Sequence, residues 1–277
     1  MDWLEGTKIP IGKWAAGIVS WMTDNLDWFF DNLSLVLEMI INNILLALQA
    51  PPPLVMVAMF AGLTWWWRRS IGLVVFVVLS CLFILNQGYW EETTETLTLV
   101  VTACLVCMGV GIPIGIWAAH NPRVYSVMRP ILDLMQTLPT FVYLIPAIVF
   151  FGIGMVPGLI ATAIFVVPAP IRLTHLGISS TPKSLIEAAQ AFGATPSQVL
   201  YKVELPYAMP QIMAGLTQTI MLSLSMVVIA ALVGADGLGV PVVRALNTVN
   251  TALGFESGFV IVVLAILLDR VFRREDV

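Results

Sequence analysis

The sequence predicts an all-α integral membrane protein, on three observations. Of its 277 residues, 59% are hydrophobic and only 11% charged, against roughly 25% charged in an ordinary soluble domain. A soluble fold of this size could not cover its surface with so few charges. Uncharged stretches of about 20 residues recur along the chain. At ~1.5 Å per residue each can cross a hydrocarbon core of ~30 Å. No segment alternates polar and apolar residues in ~10-residue strands, which argues against a β-barrel. The net charge of −4 says less than where the charges sit.

Taken in order, the chain begins with an acidic stretch at residues 1–7 and no cleavable leader is expected there. Residues 27–49 form an amphipathic helix. Leu33, Val36, Leu37, Ile40, Ile41, Ile44, Leu45 and Leu48 share one face, with Asp31, Ser34, Glu38 and Asn42 opposite. Glu38 and Asn42 are costly in a lipid-exposed span. A helix lying on the outer surface, ended by Pro51, Pro52 and Pro53, is therefore expected. The alternative is a first span with Lys8 and Lys13 inside. Two short apolar blocks follow, 53–67 and 71–87, separated by Arg68 and Arg69. Trp65, Trp66 and Trp67 suit the membrane interface. Residues 96–119 are uncharged, 130–151 contain only Asp133, and 157–171, 207–233 and 259–268 complete the apolar blocks. This gives about six to seven spans with an amphipathic N-terminal helix. The division expected is an N-terminal segment, 1–50, and a transmembrane domain, 51–277, with its core at 93–271.

Cys81, Cys104 and Cys107 lie in apolar runs. Cys104 and Cys107 have C-x-x-C spacing, but without polar neighbours they read as packing residues. His120 and His175 have no ligand spacing, so no metal site is expected. No phosphate-binding loop of the G-x-x-x-x-G-K-S/T type occurs. The chain is therefore not expected to hydrolyse ATP or to hold a cofactor.

The most informative stretch is a polar island at 187–206, EAAQAFGATPSQVLYKVELP. Ala188, Ala189 and Ala191 are small enough for close approach to a partner. Gly193 permits a sharp turn. Thr195 as N-cap with Pro196 at the first helical position restarts a helix. Leu205 and Pro206 close the island. The pattern predicts a helix–turn–helix knob projecting from the membrane, within a loop at 181–206. If that loop is cytoplasmic, so are those carrying Arg68, Arg69, Arg123, Arg129, Arg172, Lys183, Lys202, Arg270, Arg273 and Arg274. These are ten of the 13 Lys and Arg residues. The opposite loops carry Glu91, Glu92, Glu95, Asp236 and Glu256, with Arg244 as the one basic residue. The positive-inside rule supports this orientation independently of the motif.

The island resembles the E-A-A coupling loop of ABC-transporter permeases, through Glu187, Ala188, Ala189, Gly193, Leu205 and Pro206. The stretches GIPIGIWAAHNPR (111–123), RPILDLMQTLPTFVYLIP (129–146), FGIGMVPG (151–158), SLIEAAQAFGATPSQVLYKVELPYAMPQIMAGLTQT (184–219) and LSLSMVVIAALVGADGLG (222–239) are similar to the permeases of glycine betaine, proline and choline importers. The resemblance covers 95–271 closely and 50–94 loosely. It implies a type I ABC importer transmembrane domain in a bacterial inner membrane. It also implies two cytoplasmic ATPase subunits that bind ATP and Mg, an external substrate-binding protein and a second copy of this chain. No nucleic-acid partner is expected. The competing reading is a secondary transporter, or another multi-span protein without an ATPase. It would rest on Asp133 alone as an intramembrane coupling group.

Several residues admit two readings. Glu187 favours the helix dipole and also positions the knob. Asp133 is expected to pair with Arg129 at (i, i+4), or to act in gating. Gln136 and Gln218 face polar partners or the translocation path. Pro139, Pro146, Pro168 and Pro170 kink helices, as helices lining a path are kinked. Residues 234–239, with Gly234 and Gly237, frame an outer gate or form a plain turn. Trp117, Phe141 and Tyr143 are packing aromatics or a cation–π set, and Tyr143 is also a candidate for the translocation path.

Overall fold

The computed structural model describes residues 10–273, and within them every regular element is helical. Lys8 and Arg274 lie outside the described residues. The helices are α1 (Ile11–Gln49), α2 (Pro53–Arg68), α3 (Ile71–Gln87), α4 (Trp90–His120), α5 (Pro122–Thr137), α6 (Thr140–Phe151), α7 (Met155–Val166), α8 (Pro168–Ser179), α9 (Lys183–Ala191), α10 (Pro196–Val199), α11 (Leu205–Ala231), α12 (Gly239–Thr248) and α13 (Thr251–Phe272). Five segments are long and apolar enough to cross a membrane: Ile11–Gln49, Trp90–His120, Met155–Ser179, Pro196–Ala231 and Thr251–Phe272. The pair α5 and α6 is apolar enough only when taken together and is sharply bent, as a broken span or a re-entrant loop is, and α3 is a shorter apolar helix of 17 residues.

Two expectations about these elements need correction. Residues 130–151 are not one straight span. The chain turns through 94° between α5 and α6, at Leu138–Pro139, where the residue before a proline is driven to extended backbone. Leu138 has ψ 136° accordingly. The N-terminal amphipathic helix also begins well before residue 27. It runs unbroken from Ile11 for 39 residues and ends ahead of the proline run. Its second half rests on the bundle. Leu37 and Ile41 pack with Ala103 of α4 and with Val156 and Leu159 of α7. Phe30 stacks on Phe150 at 4.3 Å, and Gln49 donates to Thr94 Oγ1 at 2.9 Å.

The centre is a close-packed set formed by α4, α7, α8, α11 and α13. Leu99 and Val100 of α4 meet Ile220, Leu224 and Val227 of α11 and Val260, Leu264 and Leu268 of α13. In lipid, helix association depends on packing more than on water exclusion, so small residues let backbones approach. A Cβ on Gly115 would lie 2.6 Å from Thr174 Cβ and 2.8 Å from the Ile171 carbonyl, so α4 and α8 are in backbone contact there. Gly177 of α8 meets Ala208 of α11 in the same way. Buried hydroxyls on α4 bond within the helix: Thr98 and Thr102 donate to the carbonyls of Thr94 and Thr98 at 2.8 and 2.7 Å. Cys81 and Cys107 are buried, and the Cys107 thiol points at the Ala163 carbonyl, as packing residues do.

The bundle has two chemically different ends. At one end the 234–238 turn meets the start of α4: Leu238 N–H donates to Thr96 Oγ1 at 2.8 Å. Glu91, Glu92 and Asp236 all lie within electrostatic reach of Glu95. At the other end lie α9, α10, Arg172 and the C-terminus of α4.

Candidate functional site

The candidate site is the 181–206 loop and the contacts it makes with the bundle. Pro182, in extended backbone, precedes α9. Glu187 and Ala188 are exposed and Ala189 is half-buried. α9 ends in a left-handed glycine cap. Gly193 has φ +79°; its N–H donates to the Gln190 carbonyl at 2.9 Å, and Ala194 N–H donates to the Ala189 carbonyl at 3.0 Å. This paired 5→2 and 6→1 arrangement is a Schellman cap, which requires φ > 0 at the glycine. The second alanine of E-A-A therefore supplies the closing carbonyl.

Thr195 then starts α10 with a reciprocal capping box. Its Oγ1 accepts from Gln198 N–H at 3.4 Å, and its own N–H donates to Gln198 Oε1 at 2.8 Å. Phe192, between the two helices, is 93% exposed, and Tyr201 is 68% exposed. An aromatic side chain held out of the protein by two caps is a contact feature.

The island does not end at Pro206 with a break in the helix. α10 passes into a π-helical turn, Leu200–Glu204, and directly into α11. Pro206 has no N–H and its ring would crowd the carbonyl of Lys202 in a regular helix. The wider π turn just before it accommodates both effects. The result is one continuous rod of 36 residues, Pro196–Ala231, about 54 Å long at ~1.5 Å per residue. Leu200 and Leu205 at its base pack against the cluster of Ile178, Ala208 and Ile212, which Met108, Ile112, Ile116 and Ala119 of α4 also cover.

The other candidate residues fall into three separate places. Asp133 and Gln136 sit together on α5, but the partner of Asp133 is Arg172 of α8 and not Arg129. Arg172 donates to Asp133 Oδ1 at 2.7 Å and to Gln136 Oε1 at 2.8 Å. Spacing on one helix could not reveal a partner 39 positions away. Pro139 is exposed at the α5–α6 bend, and the buried Tyr143 donates to the Met135 carbonyl at 2.7 Å, tying the two arms of the bend. Tyr143 is thus committed to the backbone while Trp117 and Phe141 are exposed. Gln218 is on α11 in a cavity of about 910 Å³ that also includes Tyr201, Pro206, Asp269 and Arg273. Gly234 and Gly237 form the turn at the far end of the rod, with φ +83° and +125°. Gly154 N–H donates to the Val233 carbonyl at 2.9 Å beside this turn. Thr96, which caps the turn, carried no sequence signal because a buried threonine in an apolar run looks like packing.

The two histidines have partners far away in sequence: His175 stacks on Tyr125 at 3.6 Å, and His120 meets Glu204 at 3.0 Å. No cluster of metal-ligating residues occurs among the described residues.

A capped, exposed helical knob continuous with a spanning rod is suited to receiving force from a cytoplasmic partner. The family profile described as "Binding-protein-dependent transport system inner membrane component" matches residues 111–274. This chain belongs to that permease family. It is 46% identical to the glycine betaine transport system permease protein OpuAB of Bacillus subtilis, over 95% of this chain and 93% of that one. It is 43% identical to the glycine betaine/proline betaine permease protein ProW of Escherichia coli, over 98% of this chain and 76% of that one. Among solved structures, an inward-facing MetNI methionine ABC transporter matches with TM-score 0.58 and 24% identity, covering 65% of this chain and 94% of that one. That likeness shows the fold: a type I ABC importer transmembrane domain. The permease is a multi-pass component of the cytoplasmic membrane. It works with an ATPase and a substrate-binding protein and is not itself the enzyme. The secondary-transporter reading has no support from the family.

Proposed function

We propose that this permease passes quaternary ammonium osmolytes of the choline and glycine betaine type into the cytoplasm. Two copies would form the path, driven by two ATPase subunits that bind ATP and Mg. The 46% identity to a glycine betaine permease over nearly the whole chain carries the substrate reading. The mechanism follows from the rod. The ATPases hold the knob formed by α9, α10 and Phe192. Closing on ATP, they displace the base of the rod. Beyond the π turn, the regular helix Leu205–Ala231 does not absorb that displacement locally, so it reaches the 234–238 turn. There Gly234 and Gly237 lie against Ile153 and Thr96 so closely that a side chain at either glycine would collide with them. Movement of this turn against α4 and the 152–154 segment opens or shuts the outer mouth. The Arg172 contacts with Asp133 and Gln136 keep the bent α5–α6 arm attached to α8 as the rod moves, and the Tyr143 bond holds the bend itself.

The experiment is uptake of labelled glycine betaine into vesicles holding the permease, with the ATPase inside and the binding protein outside. Unlabelled choline, proline betaine and carnitine are the competitors. Uptake is expected only with ATP, ATPase and binding protein all present. Uptake without the ATPase would overturn the reading.

A further inference from the structure

We propose that the Glu204–His120 ion pair is the strut that makes α4 move with the coupling knob, so that the ATPase stroke is delivered to two spanning helices and not to the rod alone. This rests on the coupling role proposed above.

Glu204 is the one charged side chain among the described residues that is buried, at 6% exposure. A lone buried carboxylate is costly unless paired and hydrogen-bonded. Its partner is His120, the last residue of α4 and 84 positions away, with Nε2 at 3.0 Å from Glu204 Oε2. The other ring nitrogen, Nδ1, lies 2.9 Å from the Ile116 carbonyl. Both ring nitrogens therefore face acceptors. The Nε2 contact thus joins two helices, while the Nδ1 contact holds the ring against its own helix.

The position of Glu204 sets its effect. It closes the π turn between the coupling helix and the rod. Bonding from i to i+5 brings Val199 and Glu204 to one side of the chain, and both are buried. A regular helix would separate them by well over a quarter turn. The π turn is a place where a rod under load would flex. The pair crosses from that place to the end of a neighbouring span, just beyond the apolar cluster of Ile178, Ala208 and Ile212 against which Leu200 and Leu205 and the α4 residues Ile112, Ile116 and Ala119 all pack. Those contacts resist compression but permit sliding. The ion pair fixes the register.

The test uses the assembled transporter with its ATPase and binding protein. Glu204→Gln and His120→Ala are expected to lower substrate moved per ATP hydrolysed at least 10-fold. Exchange of the partners, Glu204→His with His120→Glu, is expected to recover most of that ratio. An unchanged ratio in both single variants would overturn the proposal. So would an exchanged pair that restores assembly but not the ratio, because that pattern marks a purely structural bond. A second measurement leaves the pair intact. Spin labels on exposed Lys202 and Asn121 should keep one separation in the nucleotide-free and ATP-bound states. A change in that separation while wild-type uptake proceeds would overturn the strut and leave the coupling role standing. Absence of ATP-driven uptake in the wild type would overturn both.

Discussion

Arg172 and Asp133 form a 2.7 Å ion pair that ties α8 to the cytoplasm-proximal helix α5. The Asp133 side chain is 54% exposed, so its direct worth in stability is small. The bond joins the α5–α6 bend to the bundle. Arg172→Ala also leaves Gln136 without its donor. Transport is expected to fall several-fold while insertion and thermal stability stay near wild type. Asp133→Asn should have a milder effect, because the amide still accepts from the guanidinium. The measurement is uptake alongside a thermal melt of the purified protein.

Phe192 should touch the ATPase. A photo-crosslinking residue placed there is expected to capture the ATPase subunit, and one placed at Phe255, 78% exposed at the opposite end of the bundle, should not. Capture of the ATPase from position 255 would reverse the orientation.

Gly115 is a packing glycine in the centre of the bundle. Gly115→Val would drive methyl groups into Thr174 and the Ile171 carbonyl. Overpacking of this kind costs about 1–3 kcal/mol. A lower melting temperature and reduced insertion are expected, in contrast to variants in the exposed coupling loop, which should insert normally.

The N-terminal helix bears on the outer half of the bundle. Gln49 meets Thr94 near the start of α4, and Phe30 meets Phe150 near the end of α6, beside the 152–154 segment that supports the outer turn. A single cysteine at either Asn25 or Ala50 is expected to be labelled from outside. Labelling of Asn25 only from the cytoplasm would mean that α1 crosses the membrane.

Much of this was legible in the sequence because it rests on local rules. The turn at Gly193 and the N-cap at Thr195 both follow from residue type and spacing over a few positions, and the structure has both, the N-cap closing into a capping box with Gln198. What was not legible depends on distance or on competition between signals. Arg129 offered Asp133 an (i, i+4) partner, but Arg172 reaches it from another helix and brings Gln136 into the same contact. Pro206 looked like the end of an element, yet a π turn absorbs it and the helix continues. Residues 130–151 carry a single charge, Asp133, and read as one block, in which only the Leu138–Pro139 pair hinted at a right-angle bend. The Glu204–His120 pair joins two elements whose separate sequences carry no mark of each other.

The most direct measurement of the central claim uses Gly193→Val. A β-branched residue at φ +79° costs about 1–2 kcal/mol in backbone strain. It disfavours the cap that sets α10 against α9. The variant should insert normally, and the binding protein should capture substrate with unchanged affinity. Substrate-stimulated ATP hydrolysis and uptake in vesicles should both drop at least 10-fold. Normal stimulated hydrolysis and normal uptake would contradict the claim that this loop carries the ATPase stroke into the membrane.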